Sequence, residues 1–321
     1  MKREIFKVSD LMLVYSFIKV NGTSEDKVVL CEEELKGHFI LSLTVVPSEL
    51  QTSEGAFVTI SDIIIDGRKV HGFRKQTIEL SAYQEGDIKV MYIGEAEARH
   101  YRSVSLVLDY ESDEDGNHPG CYFLNGQNQK QQFNILSESI RKVHFTKHFE
   151  IRPDSTTEIV IKYDNHKITV PTLEKHGSNE FDYSDNGIVN SFNALIKDKC
   201  GEVKGEVNQP FYPVGDMYVL AYKRGEFNLT EETRMVGRED NFFPNAAARS
   251  LVKPYGCYHL PLLEEGDYEI HIAVVNKDSG KVFMLRGMIN HSSNISGFLL
   301  NKIRVRAKSR VQLNIDILDV I

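Results

Sequence analysis

The chain has no tryptophan, no C-x-x-C pair and no apolar run that reaches the roughly 18 residues of a bilayer-crossing helix. It also lacks the short signatures of common catalytic sites: there is no G-x-S-x-G, P-loop, dinucleotide fingerprint or H-E-x-x-H. Without paired cysteines at close spacing, a zinc knuckle or thioredoxin-like centre is not expected. Cys31, Cys121, Cys200 and Cys257 are widely scattered, which favours isolated thiols and leaves their pairing and the redox compartment open. Positive charge is scarce as well. With 38 Lys and Arg against 46 Asp and Glu, the net charge of −8 gives no general footprint for nucleic acid, whose phosphates demand a basic surface.

What is present is ordinary for a globular protein: 41% hydrophobic residues, with 17 Phe and 14 Tyr to fill cores. A chain of 321 residues is long for one β-sandwich, so two domains are expected. Alternation with a period of two dominates. Val104, Leu106 and Leu108 share a face in "RSVSLVLD", as Ile159, Ile161 and Tyr163 do in "TEIVIKYD". Tyr268, Ile270, Ile272 and Val274 share another, with Glu269 and His271 pointing the opposite way. Asp66-Gly67 and Asn125-Gly126 predict tight hairpins, because type I′ turns need positive φ at both central residues. Helical periodicity is limited to a turn or two around Ser137–Arg141 and Asn190–Lys197. The fold class read from this is all-β, with two β-sandwich domains in tandem.

The start, "MKREIFKVSDLMLVYSFIKVNG", has a basic beginning and an apolar patch from Leu11 to Ile18, bounded by Asp10 and Lys19 with no small-residue cleavage site. It departs from a secretory signal. Residues 1–37 are read as an extension, strand or short helix, packed on a first domain at 38–170. The turn-rich stretch 171–204 is read as a linker, and 205–321 as the second domain. Two irregular stretches, 109–120 and 226–250, are expected to be exposed loops where binding happens.

In "YGCYHLPLLEEGDYEI", Gly256, Tyr258, Leu260, Leu263, Gly266, Tyr268 and Ile270 follow the pattern G-x-Y-x-L-x-x-L-x-x-G-x-Y-x-I. On these residues the second half resembles the transthyretin-like, carboxypeptidase-regulatory-like β-sandwich, an Ig-like architecture. The resemblance implies a strand pair around "LLEEG", with Gly266 making the turn, "GEVKGEV" as the first strand and "SRVQLNIDI" as the last. It implies a non-catalytic module. The first half, through "LSLTVVPS", "FVTISDIIIDG" and Tyr101, Val104 and Leu106 of "EARHYRSVSL", is similar to a β-domain of Bacteroidota envelope lipoproteins. Val45, Val46, Arg99 and Ser105 depart from that domain's pattern. In it, a lipidated cysteine lies shortly before the first strand, the place Cys31 holds here; Leu30 and the charged Lys19, Glu25, Asp26 and Lys27 do not suit such a signal, so an ordinary thiol is expected. The envelope or surface location comes from resemblance alone, and a cytoplasmic or virion-associated one stays open.

Three constellations bear on chemistry. Asp109, Glu111, Asp113 and Asp115 cluster in "DYESDEDGNHPG" and could offer calcium the oxygen ligands it prefers. Tyr122 stands where an EF-hand needs its bidentate acid, so a solvated loop is expected and no cofactor is assigned beyond that candidate. His144 and His148 in "VHFTKHF" would lie roughly 13 Å apart on a strand, too far for one metal unless a bulge or third ligand intervenes. Lys302, Arg304, Arg306, Lys308 and Arg310 recur at every second position, with Ile303, Val305 and Ala307 facing the core. On a regular strand the five charges sit roughly 6.6 Å apart on one face. That strip is either an anion-binding face, for an acidic glycan, a lipid surface or a protein, or an edge guarded by charge against pairing.

The function expected is that of a non-enzymatic cell-envelope or surface β-protein acting in adhesion, assembly or ligand binding. The alternatives are a structural subunit of an intracellularly assembled particle, such as a phage virion or contractile-injection system, and a fimbrial-type subunit that exchanges strands between protomers.

Overall fold

The structure, a computed structural model, describes residues 3–8, 11–18, 29–46, 55–83, 86–124, 127–132, 142–164, 170–171, 181–182, 191–208, 215–233, 242–276, 281–295 and 299–320, those up to 34 by their backbone. β1 (Arg3–Val8), β2 (Leu11–Ile18) and β3 (Val29–Glu34) pair with one another in an antiparallel meander. Next come β4 (Lys36–Val45), β5 (Ala56–Ile65), β6 (Arg68–Lys69), β7 (Gln76–Glu79), β8 (Lys89–Glu97) and β9 (His100–Leu108). β10 (Tyr122–Leu124), β11 (Lys130–Gln132), β12 (Lys142–Glu150), β13 (Thr156–Tyr163) and the short pair β14 (Val170–Pro171) and β15 (Phe181–Asp182) follow, then β16 (Phe192–Ile196). The remainder is β17 (Cys200–Asn208), β18 (Asp216–Lys223), β19 (Ala248–Leu251), β20 (Cys257–Glu264), β21 (Gly266–Asn276), β22 (Lys281–Ile289), β23 (Ile303–Val305), β24 (Arg310–Gln312) and β25 (Ile315–Val320). The chain is all-β.

The first core lies between a sheet ordered β11-β10-β5-β9-β12 and a sheet ordered β16-β13-β4-β8. Their inner faces carry the alternating residues read from the sequence: Phe39, Leu41 and Leu43, Val104, Leu106 and Leu108, and Ile159, Ile161 and Tyr163 are all buried. Burying a side chain of that size contributes roughly 1.5–3 kcal/mol. The second core is enclosed by strands ordered β19-β18-β21-β22-β25-β17-β20, with Tyr268, Ile270, Ile272 and Val274 facing inward. Asp66 and Gly67, with φ of 45° and 80°, make the two-residue turn that their sequence predicts between β5 and β6.

Several expectations need correction. Within Asn190–Lys197 the segment Phe192–Ile196 is a strand, not a helix: β16 pairs with β13, since Phe192, Ala194 and Ile196 alternate into the first core. The stretch 171–204 is therefore no linker throughout, because it supplies an edge strand to the first unit and β17 to the second. The strands either side of "LLEEG" do not pair with each other. β20 pairs with β17 while β21 pairs with β18 and β22, so the chain crosses from one layer to the other there. Gly266 is not the residue that needs positive φ; Leu262 is, at 53°. The glycine requirement sits at Gly256, where φ is 83° and an added Cβ would lie 2.5 Å from the Val207 carbonyl oxygen. Leu124 pairs with Lys130, so the connection after β10 is longer than a two-residue hairpin; Asn125-Gly126 and the Ser137–Arg141 segment lie outside the described residues.

The two units meet along the outer face of β13. Val160, Lys162 and Asp164 point away from the first core by alternation, and Val160 is nonetheless fully buried. Lys162 donates to the Ala247 carbonyl oxygen, and Arg249 Nη2 lies 3.0 Å from Asp164 Oδ1 with both side chains largely buried. Lys147 Nζ pairs with Glu264 at 2.6 Å, and Gly86 approaches so closely that a Cβ would lie 3.1 Å from Pro261.

Candidate functional site

The basic strip is not one regular strand. β23 holds Arg304, and Ile303 and Val305 enter the core as expected, but the chain turns at once, with Lys308 at a φ of 56° and Ser309 N donating to Arg306 O. Ala307 is exposed, contrary to its predicted core position, because it lies in that turn. Carboxylates then take up much of the charge. Arg304 pairs with Asp267 at 3.3 Å and Glu265 at 3.7 Å, Lys308 with Asp198 at 2.8 Å, and Arg310 with Glu202. Lys302 and Arg306 have no ion-pair partner among the described residues and stand exposed on either side of β23.

The acidic loop is organised by its own carboxylates. Asp109 accepts from the Glu111 and Ser112 amides and pairs with Lys75 at 2.8 Å. Burial works to raise its pKa, but Lys75 and the two amides together hold it below the usual carboxylate range. Asp113 accepts from the Asp115 and Asn117 amides on one oxygen and from Lys130 on the other, and that lysine above all holds its pKa at about 2. The carboxylates of Asp109 and Asp113 thus close the loop, while Glu111 and Asp115 are parts of the same turn with outward positions. No group of three or more His, Cys, Asp or Glu arranged to hold a metal occurs among the described residues.

A bulge does fall between His144 and His148, at Thr146/Phe149. It does not unite them: His144 Nδ1 bonds Ser105 Oγ at 2.9 Å, and His148 lines a cleft described below. Cys31 lies in β3 opposite Ser16. Cys121 and Cys200 are buried free thiols, their pKa values pushed up by burial to about 12 and about 11, and Cys257 is free and exposed.

The described parts of 226–250 are mixed: Glu226, Asn228–Glu231 and Asn245 are exposed as expected, whereas Glu232, Phe242 and Phe243 are buried. α1 (Leu229–Glu232) brings Glu232 beneath the surface, where Tyr222 Oη donates to it at 2.8 Å and Asn245 Nδ2 at 2.7 Å. Phe242 and Phe243 join Tyr218, Leu220 and Tyr222 in a small third core. Glu269 Oε1 accepts from the Gly225 and Phe227 amides. Phe227 stacks on His271 at 3.8 Å, leaving His271 Nε2 buried without a hydrogen-bond partner and 3.7 Å from Glu269. Burial lowers the His271 pKa, overcoming the pull of Glu269.

A wide concavity forms elsewhere. β9 and β12 pair with Phe149 opposite Tyr101 and Glu150 opposite His100. Tyr101 and Phe149 turn inward and stack 5.2 Å apart, so alternation places His100, Arg102 and Glu150 on the outer face. The chain then turns through Arg152 and Ser155 into β13, and a 3-10 turn at Lys197–Lys199 closes the far side. The resulting cleft encloses about 810 Å³. Its acids are held: Glu150 accepts from Arg152 Nε at 2.9 Å and lies 3.7 Å from His100, Glu158 takes Lys197 at 2.8 Å and Ser42 at 2.9 Å, and Asp198 takes Lys308. Arg102 and Lys199 have no ion-pair partner among the described residues. A volume of this size suits a small ligand, and the wall offers both donors and acceptors. The sequence pattern "RHYRS" does put His100 and Arg102 on one face, but their meeting with Lys199 depends on long-range pairing.

No protein-family model matches the chain, and no curated protein does. Among solved structures, a leucine-rich repeat protein from Bacteroides thetaiotaomicron aligns at 12% identity and a TM-score of 0.20, over 87% of this chain and 26% of that one. The chain thus spans about a quarter of that protein's length. The major pilin protein T-13 from Streptococcus pyogenes aligns at 7% identity and 0.22, over 88% and 97%, and BcpA, the major pilin subunit of Bacillus cereus, at 10% and 0.21, over 90% and 71%. No helix among the described residues is long and apolar enough to cross a membrane.

Proposed function

We propose that this chain is a non-enzymatic β-scaffold of a surface or an assembled structure, working by binding and holding, with its 810 Å³ cleft as the binding position. In this reading the two units, the first completed by β16 and the second beginning with β17, act as one rigid piece, the second a transthyretin-like sandwich. The observation that carries it is the buried seam. Arg249 and Asp164 are tied together across two separate cores, next to a lysine capped by a backbone carbonyl from the other side. Such a joint suits a part that must keep its shape, since breaking a buried ion pair leaves an uncompensated charge.

Two measurements test the reading together. Fractionation and protease shaving of producing cells should place the protein in the envelope or in an assembled particle. A soluble cytosolic monomer that turns over a small-molecule substrate would overturn it.

A further inference from the structure

We infer that the cleft between β9, β12 and the Lys197–Lys199 turn binds a hydroxyl-rich oligosaccharide bearing spaced carboxylate groups. This rests on the binding reading above and names its ligand. The first support is the charge that remains once internal pairs are formed. Glu150, Glu158 and Asp198 each hold a cation of their own, which among the described residues leaves the Arg102 guanidinium and the Lys199 ammonium without an ion-pair partner and available to an anion. An arginine fork matches a carboxylate through two parallel hydrogen bonds, and the lysine adds a point charge.

The second support is the acids themselves. They already hold cations, so a ligand with a charge on every unit, such as nucleic acid or a densely sulfated chain, would find only two unpaired cations and would set its remaining charges against neutral pairs. A sugar chain carrying an occasional carboxylate asks for no more than those two. Its hydroxyls can donate to the outward oxygens of Glu150 and Asp198, and accept from His100, His148 and the exposed Thr156 hydroxyl. The third support is room: about 810 Å³ is far more than a lone phosphate or acetate needs and falls within the range of ligand clefts, ~300–1,000 Å³. The lip continues onto Lys308 through its pair with Asp198, so a longer chain leaving the cleft meets a neutralised surface instead of a bare basic strip.

The test is calorimetric titration of the full chain with a tetrasaccharide in which a uronic acid alternates with a neutral N-acetylated sugar, with a neutral glucose oligomer, heparin and a short DNA as comparison probes. Arg102→Glu with Lys199→Glu is the cleft variant, and Lys302→Glu with Arg306→Glu is the control of equal charge change. Unaltered melting curves for both variants establish that they fold; should the cleft variant fail, Arg102→Gln with Lys199→Gln replaces it. The expected result is uronate binding that the neutral oligomer does not share, weakened at least about tenfold in the cleft variant and unchanged in the control. The inference is overturned by no uronate binding at millimolar concentration, by equal binding of the neutral oligomer, by tighter binding of heparin or DNA, or by loss in the control variant. Absence of binding leaves the scaffold reading standing, whereas cleavage of the bound oligomer would sink that reading and leave the ligand class intact.

Discussion

The basic strip at 302–310 and the rim of the cleft hold similar cations and use them differently. In the strip, Arg304, Lys308 and Arg310 are answered by Asp267, Glu265, Asp198 and Glu202, acids brought in by neighbouring strands and turns. At the rim, the acids already have other partners, and Arg102 and Lys199 have no ion-pair partner among the described residues. A run of charge in one dimension therefore says little about the field at the surface. The folded neighbours decide it, and exposed pairs of this kind are worth only about 0–1 kcal/mol each.

Arg249 is the extreme of the same contrast, a paired cation with water excluded, and it should give the largest effect. Arg249→Ala is expected to destabilise by about 3–5 kcal/mol in denaturant unfolding, because Asp164 stays buried without its partner. Arg249→Ala with Asp164→Ala should lose less than the two single changes added together. Additive losses would mean that the pair is not the clamp described.

Asp113 comes next. Asp113→Asn should lower stability by about 1–2 kcal/mol at neutral pH, since Lys130 loses its charged acceptor. The folded pKa is depressed to about 2 from an ordinary 3.8, so this contribution is present above 3.8 and fades as pH falls toward 2. A variant whose acid unfolding matches the parent between those values would contradict the assignment.

His271 sharpens the contrast between buried and exposed charge through pH. Its folded pKa lies below the ordinary 6.5, so the unfolded chain binds more protons just below that value and stability falls on acidification. His271→Phe should keep the Phe227 stack, change stability little at pH 7.5 and flatten the slope below pH 6.5. An unchanged slope would remove His271 from the account. The smallest effect belongs to the strip: Arg304→Ala should cost no more than about 1 kcal/mol by thermal melting. A loss of several kcal/mol would show that its exposed pairs matter far more than exposure allows.

Much of the fold was legible because period-two alternation maps directly onto buried faces, as at Val104, Leu106 and Leu108 or Tyr268, Ile270 and Ile272. Pairing partners were not. Nothing local to "LLEEG" tells that β20 and β21 join different layers, and the short apolar run at Phe192–Ile196 fits a helix or a strand until β13 lies beside it. Of the site, the strip's charges were visible and their acids were not, for Asp198 and Glu202 come from β17 and the turn before it. The cleft went unread for the same reason. Its residues come from three separate segments, 100–102, 148–158 and 196–199, brought together by the β9–β12 register and by β16 docking on β13.

Amide chemical-shift mapping of the deuterated full chain during titration with the alternating uronic acid tetrasaccharide tests the contrast between cleft and strip most directly. Shifts concentrated at 100–102, 148–158 and 196–199, with 302–306 unmoved, are the predicted result. Shifts centred on Lys302–Arg306 with a silent cleft would contradict it.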